Sequence, residues 1–218
     1  METRISGNIQ MSPYQDKSLT NNPPYVTDTV NSSHPGGKYK IMHAHRLTNY
    51  EEAIALIERY NGEGKSITTE EYFSNLMKMA INNGLTYSKY DCSGFLYQGR
   101  DRQGYHGATT NFCCYSVYYG HIEDLGGYDF LIPGMELYQA CRKAANSPYF
   151  YASHIGVYAG FFDFGDGKGR QHAVFQSSGV SRYKSISVMN REKRNGPNLT
   201  SMNQRWNYWG WSRYVIIA

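Results

Sequence analysis

Charge is scarce in this 218-residue chain: 18% of the residues are Asp, Glu, Lys or Arg, and 22 basic against 18 acidic side chains leave a net charge of +4. So small an excess gives no case for nucleic acid as a partner. Long apolar runs are missing as well. No stretch approaches the 18 residues of a membrane span, and the first twenty, METRISGNIQMSPYQDKSLT, contain no apolar core of a secretory signal. The expectation is a protein without a membrane span or signal peptide, which needs another carrier if it works outside the producing cell. Cysteine is sparse, at 92, 113, 114 and 141. No C-x-x-C pair is present, so neither a zinc site nor a disulfide framework is the natural reading, and mostly free thiols are expected.

What the chain does have is 21 Tyr and 22 Gly, with polarity supplied by Asn, Ser, Gln, Thr and Tyr and a mean hydropathy of −0.61. That composition suits an exposed or extracellular-facing protein built of strands and loops. Residues 1–40, which include NNPPYVTDTVNSSHPGGK, show no period and read as a flexible or docking arm. The remainder, 41–218, reads as one domain, with a helical lead-in over 48–84 and a core over 85–218. Thr48 with Glu51 and Thr68 with Glu71 have capping-box spacing. Behind the second box, Phe73, Leu76, Met77, Ala80 and Ile81 fall on one helical stripe. Farther on, SHIGVYAGFF and QHAVFQSS alternate with period two. They flank the Gly- and Asp-rich DFGDGKGR, which predicts a hairpin, and the aromatic C-terminus predicts a last strand.

The stretch YSKYDCSGFLYQG puts Cys92 between an acid and a hydroxyl residue, directly before an apolar run that fits either helix or strand. A buried filler thiol and a nucleophile are both open on these residues alone. A nucleophile must be a thiolate, and a helix N-terminus and an imidazole are the usual devices that lower a thiol pKa. A Cys in an x-D-C-S-G turn, then a His on a strand, then a polar residue on the next strand, would supply nucleophile, base and orienter.

In this order the residues resemble the NlpC-type cysteine endopeptidases, papain-like enzymes that cut peptide stems of bacterial peptidoglycan. DCSGFL at 91–96 looks like the nucleophile motif, HIGVYAG at 154–160 like the H-x-G-x-Y strand, and HA at 172–173 like the third catalytic strand. GLTY at 84–87, ATT at 108–110 and PGMEL at 133–137 resemble weaker motifs between them. The chain departs from the family where SKY replaces a longer Gly-Gly loop before Asp91, where Met135 replaces an acid, and where YQACRKAANSPYFYAS is inserted before the His strand.

The resemblance implies an α+β fold with a central antiparallel sheet of about five or six strands and the nucleophile helix packed on it. It implies Cys92 as nucleophile, His154 as base, and His172 as the residue that orients His154. Tyr87 and Ser93 would lie on the substrate and oxyanion side, Asp91 would cap the helix, and Gly156 would leave room for it. No metal or organic cofactor is implied. The partner would be peptidoglycan, cut beside D-γ-glutamate and a diamino acid. The setting it suggests is a bacteriophage tail, where the arm would meet other tail proteins, or release at lysis.

Alternatives remain on the sequence: an interbacterial amidase effector, a non-catalytic wall-binding virion module, or acyl transfer to an amine. The basic stretch 182–194, with five basic residues and one acidic, reads either as a contact for an anionic wall polymer or as a solvated loop. Cys113 and Cys114 read as residues of the core or of the surroundings of the site. His43 and His45, in HAH, lack a third ligand at metal-binding spacing and read as surface or strand residues.

Overall fold

A computed structural model describes residues 44–104, 107–140, 152–179, 195–202 and 205–217. The expected arm, His43, Cys141, most of the insertion and the basic stretch 182–194 lie outside them.

The chain enters through β1 (His45–Arg46) and α1 (Tyr50–Arg59). The cap of α1 falls one residue later than the Thr48 box predicts: Asn49 accepts from the Glu52 backbone N–H at 2.8 Å, an N-cap role that Asn fills as well as Thr. After β2 (Ile67–Thr68) comes α2 (Thr69–Ala80). There the Thr68–Glu71 capping box is complete, with both reciprocal bonds formed at 3.0–3.1 Å. The stripe it buries is Thr69, Tyr72, Phe73, Leu76 and Ala80, and Ile81, at the C-cap, is exposed.

The ambiguous apolar run is helix: α3 (Cys92–Gly99) begins at the nucleophile candidate. Gly99 is the point where α3 crosses α2, since a Cβ there would stand 2.5 Å from Leu76 and 2.8 Å from Tyr72. Short helical turns follow, α4 (Ala108–Thr110) running on through 111–115, and α5 (Ile122–Leu125) after β3 (Ser116–His121). Then come β4 (Glu136–Ala140), β5 (Ala152–Asp163), β6 (Arg170–Ser178), β7 (Gly196–Ser201), β8 (Tyr208–Ser212) and β9 (Val215–Ile216).

The fold is mixed α+β around a seven-stranded sheet ordered β1-β3-β8-β4-β5-β6-β7, with a separate parallel pair β2-β9. The large sheet is antiparallel except at its edge, where two-residue β1 joins β3 in parallel. That is more strands than the five or six expected. The additions include β1, too short for a period to show, and β7, GPNLTS, whose Gly, Pro and Asn disfavour strand; β7 holds as an edge, where Pro197 is tolerated. Helices α2 and α3 cover the face of Ile155, Val157 and Phe175, where Phe73 and Phe175 rings meet at 5.6 Å. Behind α3, the fully buried Arg100 at its C-cap is paired with buried Glu136 on β4, and Asn111 and Tyr138 complete the polar knot at 2.5 and 2.7 Å.

Candidate active site

The first turn of α3 is built by Asp91. Its carboxylate accepts from the Gly94 backbone N–H at 2.6 Å and from the Ser93 hydroxyl at 3.1 Å, which makes it the N-cap. Ser93, 2% exposed, therefore turns its side chain into the cap and away from any substrate. What Ser93 offers the site is its backbone N–H, which faces the Cys92 sulfur. The turn before α3 is tied down from the sheet, where the Ser177 hydroxyl donates to the Tyr90 carbonyl and Asn195 Oδ1 accepts from the Tyr87 N–H at 2.8 Å.

Cys92 is 8% exposed, and burial pushes its thiol up to about 11; the nearby Asp91 carboxylate adds to this. Backbone N–H groups of Ile155, Ser93 and Cys92 itself pull the other way and are outweighed. The sequence leads one to expect a thiol lowered by its helix terminus and imidazole. In the structure desolvation wins, because an eight-residue helix offers only a few N–H dipoles against nearly complete burial. Tyr87, 37% exposed, lies close enough for its phenol to feel Cys92 and Asp91, and burial together with those two groups raises its pKa.

His154 precedes Ile155 on β5. Its Nε2 meets Gln176 Oε1 at 2.8 Å, and the Gln176 amide nitrogen in turn donates to Thr200 Oγ1 at 2.6 Å. This chain runs across β5, β6 and β7 and fixes the ring: an amide oxygen accepts, so Nε2 carries the proton and Nδ1 is the free base. The Trp206 ring stacks on the imidazole at 5.4 Å and 27°. Burial lowers the His154 pKa, with Gln176 and Asp91 opposing. The Cys92 sulfur faces the backbone N–H of Ile155, one residue along β5 from His154, and among the described residues no hydrogen bond joins thiol and imidazole. Both rest neutral.

His172 does not orient His154. Its Nδ1 is engaged by the Tyr158 hydroxyl at 2.8 Å and its Nε2 by Asp129 at 3.0 Å, and it pairs across the hairpin with Phe161. The residue that does is Gln176, which stands opposite Gly156. The sequence puts His172, Val174 and Gln176 on one face but leaves open which of them faces His154, since that depends on the hairpin register. The register contains a bulge between Tyr158 and Gly160, where Gly160 takes φ +83°. Gly156 also has a different duty from the one expected. A Cβ there would stand 2.8–2.9 Å from Val174, the Phe175 carbonyl and the Trp206 ring, so its bareness admits Trp206, not α3. Nothing in the sequence marks Trp206 beyond its place in an aromatic C-terminus.

The remaining candidates lie elsewhere. Thr109, in the ATT segment, exchanges bonds with the Ala152 backbone at 3.0 and 3.4 Å and fastens the start of β5. Cys113 is a buried cysteine and Cys114 a partly buried one, both outside any disulfide, and His45 sits on β1 against Tyr118. Among the described residues no three His, Cys, Asp or Glu side chains converge as a metal site would need, and no helix is long and apolar enough to cross a membrane. Comparison with protein-family models, with curated proteins and with solved structures returns no match.

Proposed function

We propose that the chain is a cysteine endopeptidase of NlpC type that hydrolyses an amide bond in the peptidoglycan stem peptide, beside D-γ-glutamate and a diamino acid, through a thioester. The observation that carries this reading is Cys92 in the first turn of a capped helix, its sulfur on the Ile155 N–H of β5, with the preceding residue His154 held by Gln176 and Thr200. Those residues suit a thiol that ionises only during attack. In this reading His154 Nδ1 takes the Cys92 proton as sulfur bonds to the carbonyl carbon, and the Cys92 N–H and the Tyr87 hydroxyl meet the oxyanion. The imidazolium then protonates the leaving amine, and the same nitrogen activates the water that opens the thioester.

The biological setting proposed is a phage tail, with residues 1–40 as the docking arm on another tail protein. Deleting them is expected to spare activity on purified wall and abolish incorporation into virions. The decisive experiment is mass spectrometry of peptidoglycan digested in parallel with the wild type and with Cys92→Ala. New stem-peptide fragments with the wild type alone support the proposal and identify the bond; no products from any of several wall types would refute it.

A further inference from the structure

His172, which the hairpin register sets apart from His154, belongs to a second polar cluster. Buried Tyr158, whose ionisation is held above the usual phenol range by desolvation and by the Asp129 charge, keeps its proton and donates it to His172 Nδ1. His172 must then carry its own hydrogen on Nε2 and present it to Asp129 Oδ1 at 3.0 Å. The result is a carboxylate held in position from inside the protein while its side chain is 85% exposed. Among the described residues its second oxygen has no hydrogen-bond partner.

The bulge at Gly160 adds an apolar wall. By inserting one residue into β5 it brings Phe161 opposite His172, onto the face that also carries His154 and Gln176. Phe161 packs its ring 4.4 Å from the imidazole and stays 38% exposed, and the Tyr128 ring lies 6.4 Å from the same imidazole. A bulge that turns a large aromatic toward water beside a fixed carboxylate contributes little to the core and much to a ligand. From Gln176 to His172 is four residues of strand, about 13 Å, so this cluster is distinct from the Cys92 site.

We propose that Asp129, Phe161 and Tyr128, with His172 as the positioning residue, form a binding site for a primary ammonium group on an apolar stem, such as a lysine-type side chain. The chemistry selects it: both His172 nitrogens are spent, Arg170 turns an N–H toward the Phe161 carbonyl at 3.5 Å, and Asp129 offers only acceptors. An ammonium offers only donors, and its charge is attracted to aromatic faces as well as to a carboxylate. A saccharide would need donors for its hydroxyl oxygens as well.

The test is an NMR titration of the full wild-type chain with Nα-acetyl-lysine N-methylamide, its Nε-acetylated counterpart and chitotriose. Because it reads binding directly, its outcome is independent of whether Cys92 is catalytic. The amine is expected to shift the Phe161 and His172 resonances. Acetylation should abolish the response, and Asp129→Asn, at an exposed position that leaves the spectrum dispersed, should weaken it at least about tenfold. No response to the amine, an equal response in Asp129→Asn, or a response to chitotriose alone would each overturn the assignment, the last in favour of a sugar platform.

Discussion

At the scale of single residues, the separation between Gln176 and His172 is the sharpest consequence of the geometry. Gln176→Ala removes the acceptor that holds the His154 ring, and a loss of about ten- to a hundredfold in kcat/KM is expected, whereas His172→Ala should stay within about twofold. Assays of both on purified stem peptides check this, and a larger loss in His172→Ala would reverse the assignment. Gln176→Glu is more informative still. A carboxylate at 2.8 Å stabilises the imidazolium, so the acid limb of the kcat/KM profile should move up by about one pH unit from a wild-type limb that burial keeps below the usual histidine range near 6.5. The thiol gives a separate readout. With Cys92 pushed up to about 11, its alkylation by iodoacetamide should keep accelerating with pH well beyond neutrality, where a preformed thiolate–imidazolium pair would give a flat rate.

At the scale of elements, α3 is positioned at both ends by polar groups, and the two ends should respond differently. Asp91→Ala removes an exposed cap and is expected to cost about 1 kcal/mol in urea unfolding. Arg100→Met leaves Glu136 charged and wholly buried without its partner, a change expected to cost about 3–5 kcal/mol; Arg100→Met combined with Glu136→Leu should recover most of it. The same elements show what can be read from the chain alone. The capping box of α2, the Phe73, Leu76 and Ala80 part of its stripe, the hairpin β5–β6 and the Asp91 turn are local patterns, spelled out within about ten residues, and they stand in the structure where those residues predict them, whereas Ile81 is exposed. The third member of the site is not local. It depends on one extra residue at a glycine bulge, which shifts every pairing beyond it, and on a tryptophan delivered from thirty positions farther along. The Arg100–Glu136 pair was likewise invisible, because nothing in the spacing of 36 residues says that a helix end will meet β4.

At the scale of the whole molecule, His154 and Cys92 limit stability at opposite ends of the pH axis. In the unfolded chain His154 binds its proton near pH 6.5, and in the folded chain burial delays this to lower pH. As pH falls through 6.5 the unfolded state therefore takes up protons first and gains on the native state. Cys92 acts at the other end. Its unfolded thiol ionises near 9.0 and its folded thiol near about 11, so between those values the unfolded state holds fewer protons, and stability falls as pH rises. The buried phenols of Tyr72 and Tyr138, with the half-buried one of Tyr60, extend that decline above pH 10. Urea midpoints measured across pH should accordingly form a plateau from about 6.5 to 9 with a shoulder on each side. Cys92→Ala should remove the part of the alkaline decline that sets in first, near pH 9, and leave the later tyrosine-driven fall in place. If the midpoint instead rises from pH 7 toward pH 9 in the wild type and not in Cys92→Ala, the folded thiol ionises far more easily than its burial allows. The resting site would then hold a thiolate, and proton transfer to His154 would precede substrate binding.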